Sequence, residues 1–353
     1  MHPALHTGLQ DLLGCRYPIV QTAMGWVARP ELVAASCNAG AFGFLAAATL
    51  SADEVEPAIE RTRALTDRPF GVNFHMFQPG ARRIVDTLIG CRVQAVSFGR
   101  GPDKAMIKRF RDAGIVCMPT VGAVRHAQKM AEIGVDAITI QGGEGGGHTG
   151  SVPTTILLPQ VLDAVNVPVV AAGGFFDGRG LAAALAYGAV GIAMGTRFLM
   201  TRDCPIPELS KACYTKAGLD DIVLTNRLDG LPHRLIRNGL LTDLESAGPL
   251  RLLAHALGNA WRLKSITGAR VADLLHAARG MQREGGLSFG QALMAANSPI
   301  LIQRTMIAGR PDQGVLPTGT VAGILNDLPN CAELISRIVT QADRRLTQMT
   351  GGV

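Results

Sequence analysis

The chain has 353 residues, which exceeds the usual size of one domain but suits an α/β barrel carrying an elaboration. Apolar residues make up 47% of it and charged ones 18%, which supports a sizeable core and excludes global disorder. The formal net charge of +6 is too small and too dispersed to argue for nucleic acid and points instead to a phosphorylated small molecule.

The chain opens with MHPALHTGLQDLLG, which lacks a basic region followed by an apolar run, so no secretory signal is expected. The seven cysteines are scattered without a Cys-x-x-Cys, which argues against a disulfide framework or a zinc site and fits a reducing cytoplasm. An uncharged stretch of 21 residues between Glu31 and Asp53 is interrupted by Ser36, Asn38, Gly40 and Gly43. It reads as a buried helix followed by a buried strand, not as a membrane span.

From Pro18 onward, short Val- and Ile-rich runs alternate with longer amphipathic stretches, the signature of βα units around a parallel sheet. Strands are predicted at 18–22, 42–46, 70–74, 95–98, 116–120, 137–141, 168–172 and 191–194. Helices are predicted at 30–38, 52–65, 103–113, 124–133 and 178–187, the first opening on a proline suited to the first helical position. Eight units in a row predict a (β/α)8 TIM barrel over residues 1–200. An open doubly wound sheet is the alternative, because a sequence does not show whether the first strand pairs with the last. Residues 201–312 are expected to form a mainly helical insertion or lid, with Arg227, His233, Arg234, Arg237, Arg251, Arg262, Lys264, Arg270, Arg279 and Arg283 spread through it. Residues 313–353 are expected to form a C-terminal helix returning to the barrel.

In such a barrel the ligand lies at the C-terminal ends of the strands. Gly173-Gly174 follows strand seven and Gly195-Thr196 follows strand eight. Glycines in those two loops let backbone N–H groups approach a phosphate, although tight turns alone also call for glycine. The segment Gln141–Gly150 holds six glycines in ten residues and delivers His148 over the barrel mouth, where an imidazole suits proton transfer. Glu144 in the same loop is expected to orient it as a hydrogen-bond acceptor. Ala23, Met24, Gly25 and Trp26 follow strand one and Asn73 ends strand three; backbone donors beside an asparagine can hold a planar heterocycle. Trp26, Phe74 and Phe77 either line a substrate pocket or pack the rim.

These residues resemble the nitronate monooxygenase family, also called 2-nitropropane dioxygenase-like, over about residues 12–217. The resemblance rests on Pro18–Gln21 with Ala23–Gly25, Pro69–Asn73, Ala123–Ala127, the Gln141–Gly150 loop, Ala172–Phe175 with Asp177–Gly180, and Met194–Phe198. It implies FMN, with its phosphate on Gly173, Gly174, Gly195 and Thr196 and its ring beside Ala23, Met24, Asn73 and Gln141; Gly25, Gly146 and Gly147 would also touch the cofactor. His148 would be the active-site histidine. Two departures stand out. No lysine follows strand five in Pro119–Gly122, which weakens a quinone-reductase reading, and Glu144–His148 has glycine where nitronate monooxygenases carry alanine.

Farther on, Asp229–Arg234, Met294–Pro299 and Val321–Ile324 resemble a subgroup of steroid catabolism that acts on the coenzyme A thioester of the residual C and D rings. That implies an FMN-dependent oxidation or desaturation of a carbonyl-adjacent C–H of such a thioester, with Trp26, His233, Arg234 and Arg237 at the substrate. The expected partner is this small molecule, with no nucleic acid and no membrane, and the oligomeric state is open. The alternatives are oxidation of alkyl nitronates with O2, an FMN-dependent enoyl-thioester reductase, a flavin-binding barrel without turnover, and a flavin-free phosphosugar isomerase.

Overall fold

The structure, a computed structural model, describes residues 1–76, 78–99, 103–246 and 289–351, with the backbone alone for residues 289–297. Phe77 and the basic residues Arg251, Arg262, Lys264, Arg270, Arg279 and Arg283 lie outside the described residues. Contacts divide the chain into two compact units. One comprises Met1–Gly145, Gly150–Pro205 and Asp327–Val353; the other comprises Gly146–Thr149 and Ile206–Asn326.

The first unit is a parallel sheet of β1 (Ile19–Gln21), β2 (Phe42–Ala46), β3 (Gly71–Asn73), β4 (Ala95–Ser97), β5 (Val116–Cys117), β6 (Thr120–Val121), β7 (Ile138–Gln141), β9 (Val169–Ala172) and β10 (Gly191–Met194). Their order is β5-β4-β3-β2-β1-β10-β9-β7-β6. The first and last names in that list belong to one run of chain. Val116 pairs with Ala95 on one side, and Thr120 pairs with Thr139 on the other. Between them, Met118 donates to the carbonyl of Val96 at 2.9 Å and the carbonyl of Pro119 accepts from Thr139 at 2.8 Å. The ring is therefore closed, as an eight-stranded TIM barrel requires, and the open-sheet alternative falls. Pro119 has no N–H for the ladder, so the strand predicted at 116–120 is split in two. The run Phe42–Ala46 is buried at every position, because helices cover the outside of a parallel sheet while side chains fill its inside.

Helix α1 (Gly8–Leu13) precedes the sheet. Around it run α2 (Pro30–Asn38), α3 (Ala52–Arg63), α4 (Ala81–Gly90), α5 (Lys104–Asp112), α6 (Val124–Glu132), α7 (Thr154–Ala164) and α8 (Gly178–Tyr187), with the short α9 (Thr196–Leu199) after the last strand. Pro30 does sit at the start of α2. Asp177 caps α8 by accepting from Arg179 at 3.0 Å and Gly180 at 3.2 Å, and Gly188 ends that helix at φ +105°. The return helix begins later than expected, at Cys331, capped by Asn330, and runs to Met349. It lies so close to α8 that a Cβ on Gly178 would stand 2.3 Å from the carbonyl oxygen of Ile338.

The second unit carries helices α10 (Glu208–Lys216), α11 (Gly239–Ser246) and α12 (Phe289–Met306). It is less purely helical than residues 201–312 were expected to be, because it also holds β11 (Ile222–Thr225) and β12 (His233–Ile236), which pair antiparallel. Strand β12 further pairs with β13 (Leu316–Pro317) and with β8 (Gly147–His148). Among the described residues, no helix is long and apolar enough to cross a membrane.

Candidate active site

In the first unit, β9 and β10 pair in register with Ala193 opposite Ala172, so the chain leaves both strands at the same level. Gly173 and Gly174 follow on one side and Gly195 and Thr196 on the other. Gly173 and Gly174 have φ of +96° and +82°, the left-handed region that glycine enters without penalty. A Cβ on Gly173 would also lie 3.0 Å from Thr154 Oγ1 and 3.1 Å from the carbonyl oxygen of Gly142. One on Gly195 would lie 3.1 Å from Thr22 Oγ1 and 3.3 Å from Met24 Sδ. The four residues predicted to hold a phosphate thus come together at the ends of neighbouring strands, and Met24 comes with them.

The loop after β1 is compact. The carbonyl of Met24 accepts from Val27 at 3.0 Å and Ala28 at 2.9 Å, while Trp26 is held at φ +62°, a strained setting for a bulky side chain of the kind found at functional sites. Asn73, at the end of β3, donates from Nδ2 to the carbonyl of Ser97 at 3.0 Å, which fixes its amide plane. Gln141, at the end of β7, is half-buried; a Cβ on Gly145 would lie 2.6 Å from its amide nitrogen, so any larger residue there would displace the glutamine side chain. Gln21 was not anticipated. It is fully buried, donates from Nε2 to the carbonyls of Thr22 at 2.5 Å and Phe44 at 3.3 Å, and leaves its Oε1 without a partner among the described residues. Backbone access at two strand ends, with amide side chains at two others, fits a cofactor that joins a phosphate tail to a planar, amide-bearing ring.

Glu144 is the loop-orienting acceptor expected of it: its carboxylate receives the backbone N–H of Thr154 at 2.9 Å and the Thr154 hydroxyl at 2.8 Å. Gly142 is dictated by the same threonine, since a Cβ there would meet Thr154 Oγ1 at 2.0 Å.

In the second unit, the β8–β12 pairing sets His148 opposite His233. Gly146 is forced by packing, because a Cβ would lie 2.7 Å from the backbone nitrogen of Gly319, and Gly147 by its φ of +68°. Both glycines, expected at the cofactor, therefore have structural reasons within this unit. His148 is half-exposed, and its Nε2 lies 2.7 Å from Asp229 Oδ2. His233 Nδ1 lies 3.5 Å from the same oxygen, and the two imidazole centroids are 4.5 Å apart at 44°. Asp229 is buried and also accepts the backbone N–H of Leu231 at 3.2 Å. Burial works to raise its pKa, but the hydrogen bonds and charges of His148 and His233 outweigh that and hold the carboxyl well below the usual carboxylate range.

Asp229 lies in the Asp229–Arg234 segment, and the sequence alone gives it no role. The available signal was its spacing from His233, four residues on, across a Pro232 turn. His233, expected at the substrate, is only 2% exposed and faces Asp229. The three side chains bring one ligand atom each within 4.8 Å of one another. A shared metal would have to displace the 2.7 Å hydrogen bond, and among the described residues the buried His233 Nε2 has no acceptor of the kind a metal-bound imidazole ordinarily uses. Of the expected substrate cations, Arg234 is half-buried on β12, and Arg237 is half-exposed with Nε 3.9 Å from Glu245. A cavity of about 600 Å³ beside them is lined by Leu224, Thr225, Asn226, Arg227, Pro232 and Glu245.

The family model described as nitronate monooxygenase matches residues 6–341. The chain is 47% identical over 342 residues to a (3aS,4S,5R,7aS)-5-hydroxy-7a-methyl-1-oxo-octahydro-1H-indene-4-carboxyl-CoA dehydrogenase of Rhodococcus jostii, covering 97% of both chains. It is 49% identical to the protein of the same description in Mycobacterium tuberculosis, covering 96% of both. A probable nitronate monooxygenase of Staphylococcus saprophyticus is 34% identical over 66% of this chain and 79% of its own. Among solved structures, FabK from Thermotoga maritima superposes with a TM-score of 0.79 at 28% identity, covering 99% of each chain. A nitroalkane oxidase from Streptomyces ansochromogenes superposes at 0.75 and 28%, covering 97% of this chain and 100% of its own.

Proposed function

This chain belongs to the nitronate monooxygenase family and is a flavin-dependent oxidoreductase, and from that premise we propose that it uses FMN to dehydrogenate the coenzyme A thioester of a hydroxylated, methyl-bearing indane acid left by steroid ring breakdown. The observation that carries the substrate is near-full-length identity to two dehydrogenases described as acting on that compound, against two-thirds coverage for the nitronate monooxygenase relative. The shared length includes the second unit, where substrate-specific residues are expected.

In this reading the main-chain amides at Gly173-Gly174 and Gly195-Thr196 bind the FMN phosphate, and Ala23, Met24, Asn73 and Gln141 orient the ring. FMN, when bound, supplies a two-electron acceptor for hydride. Asn73 keeps a fixed amide because Ser97 already holds one of its hydrogens. His148 takes a proton from the carbon next to the acyl function, and the electron pair of that C–H bond forms a C=C bond to the adjacent carbon as that carbon releases hydride, which bound FMN would accept, so the substrate loses two hydrogens with atoms and charge in balance. Trp26, Arg234 and Arg237 contact the substrate, the arginines pairing with the phosphates that coenzyme A carries.

The test is anaerobic mixing of the purified yellow protein with the hydroxy-indane coenzyme A thioester and, separately, with a nitronate. Rapid bleaching by the thioester alone supports the proposal. Bleaching by the nitronate alone would replace it with nitronate oxidation, and an unchanged spectrum with both would leave a flavin-binding barrel. Mass spectrometry of the released cofactor separates FMN from other flavins.

A further inference from the structure

We propose that Asp229 is a positioning residue that locks His148 as the Nε2–H tautomer, so that Nδ1 is the ring nitrogen that exchanges the proton with substrate. The inference rests on the acid–base role given to His148 above and deepens it by naming the atom and its controller.

The geometry is specific. The two residues stand 81 positions apart and meet only because the short β8 pairs with β12. A 2.7 Å contact between an imidazole nitrogen and a buried carboxylate oxygen is a charge-assisted hydrogen bond. An ionised carboxylate can only accept, so the proton on this contact belongs to His148 Nε2. In a neutral imidazole the other nitrogen then carries the lone pair. Nδ1 is thus the acceptor on a half-exposed ring.

The carboxylate has little freedom to turn. Its Oδ1 takes the backbone N–H of Leu231, while Oδ2 takes both imidazoles. His233 is the second brace: it is 2% exposed, its ring lies against His148, and its Nδ1 shares Oδ2. When Nδ1 of His148 gains a proton, the new imidazolium charge lies beside an anion already in place, and no group has to reorganise to receive it. A carboxamide at 229 would reverse this arrangement. Its NH2 can face Nε2, stabilise the Nδ1–H tautomer, and block the nitrogen that has to accept.

The experiment uses FMN-loaded protein labelled with ¹⁵N-histidine. Long-range proton–nitrogen spectra report which ring nitrogen of His148 carries hydrogen, the residue being assigned by the signals lost in His148→Gln. Wild type should show the Nε2–H pattern. Asp229→Asn should shift it toward Nδ1–H and lower kcat on the order of 10²–10⁴-fold while KM changes by less than about threefold. Asp229→Glu should restore the wild-type pattern and part of kcat. An Nδ1–H pattern in wild type would overturn the inference, as would a folded, FMN-loaded Asp229→Asn with unaltered tautomer and kcat. If Asp229→Asn does not fold, the wild-type spectrum and Asp229→Glu still decide. Failure of the underlying role looks different: full turnover in His148→Gln removes His148 from the chemistry, whereas a dead His148→Gln beside a fully active Asp229→Asn sinks only the part assigned to Asp229.

Discussion

Replacing Gly173 with alanine tests the phosphate cradle most directly, because its neighbour Gly174 supplies an internal control. Both have left-handed φ, which costs an L-residue about 1–2 kcal/mol. They differ in surroundings. At Gly174 the nearest atoms to a new Cβ are those of Glu144 at 3.7 Å, an ordinary contact. At Gly173 they are Thr154 Oγ1 at 3.0 Å and the backbone of Gly142 at 3.1 and 3.2 Å, which cannot swing aside. Crowding of that kind adds roughly 1 kcal/mol, giving about 2–3 kcal/mol for Gly173→Ala against about 1–2 kcal/mol for Gly174→Ala. If the loop relaxes by giving up its ligand-ready shape, the first value corresponds to a roughly 30–100-fold rise in the Kd for FMN, at about 1.4 kcal/mol per tenfold. If the loop holds its shape, the same energy appears as lost stability. Quenching of FMN fluorescence by the flavin-stripped protein, together with urea unfolding, measures both channels. A Gly174→Ala protein more damaged than Gly173→Ala in the two measurements combined, or wild-type behaviour in both variants, would refute the cradle.

Other consequences are equally concrete. Gly142→Ala places a Cβ 2.0 Å from Thr154 Oγ1, so it should displace the Glu144 loop and cost more than about 3 kcal/mol in urea unfolding, while Gly90→Ala, with open space around it, should be neutral or mildly stabilising. Arg197 is 3% exposed and pairs with Asp327 at 2.7 Å. Asp327→Asn strands that buried charge and should cost about 3–5 kcal/mol, whereas Arg197→Met, which leaves a half-exposed aspartate still paired with Arg337 at 2.8 Å, should cost much less; equal losses would contradict the burial argument. Because the folded state holds Asp229 below its ordinary pKa, its contribution to stability is complete above the usual carboxylate range and is lost as acid brings the pH through and below it. Asp229→Asn should therefore lower the urea midpoint near about pH 6 more than near about pH 3, and the opposite order would reverse the sign of the argument. Burial pushes the thiols of Cys37, Cys117 and Cys331 up to about 12, so a thiol reagent should leave all three unmodified in folded protein at about pH 8 and reach them in urea.

Much of the barrel is legible in sequence because its signals are local. Phe42–Ala46 and Gly191–Met194 are continuous apolar runs followed by small residues, Ala47 and Gly195, and Pro30–Asn38 and Gly178–Tyr187 carry their own start signals, so predicted and observed boundaries coincide. Strand five was misjudged over a single residue, Pro119, which withholds a donor in the middle of an otherwise regular run. The second unit was harder. Strand β12 gains its partners from Gly147–His148 and Leu316–Pro317, short segments distant in sequence and rich in glycine and proline, which no periodicity marks as strands. The pairing of His148 with Asp229 depends on the same register and was hidden for the same reason. The glycines of the Gln141–Gly150 loop are plain in the sequence, but their causes are not: Gly142 makes room for Thr154, Gly145 for Gln141 and Gly146 for the backbone at Thr318-Gly319, while Gly147 is set by its positive φ.

The return helix has a consequence for biosynthesis. Its apolar face, Leu334, Ile335, Ile338 and Ala342, is what Gly178 makes room for, yet it is translated long after the helices α8 and α2 that it packs against. At about 5–20 residues per second, the ribosome needs roughly 6–24 seconds to travel from Pro205 to Asp327, and the nascent front portion must wait that long with an apolar flank bare. A premature stop that removes only the last turns of the polypeptide should therefore be felt at its beginning, as a product that is made in full up to that codon and then lost to aggregation or proteolysis.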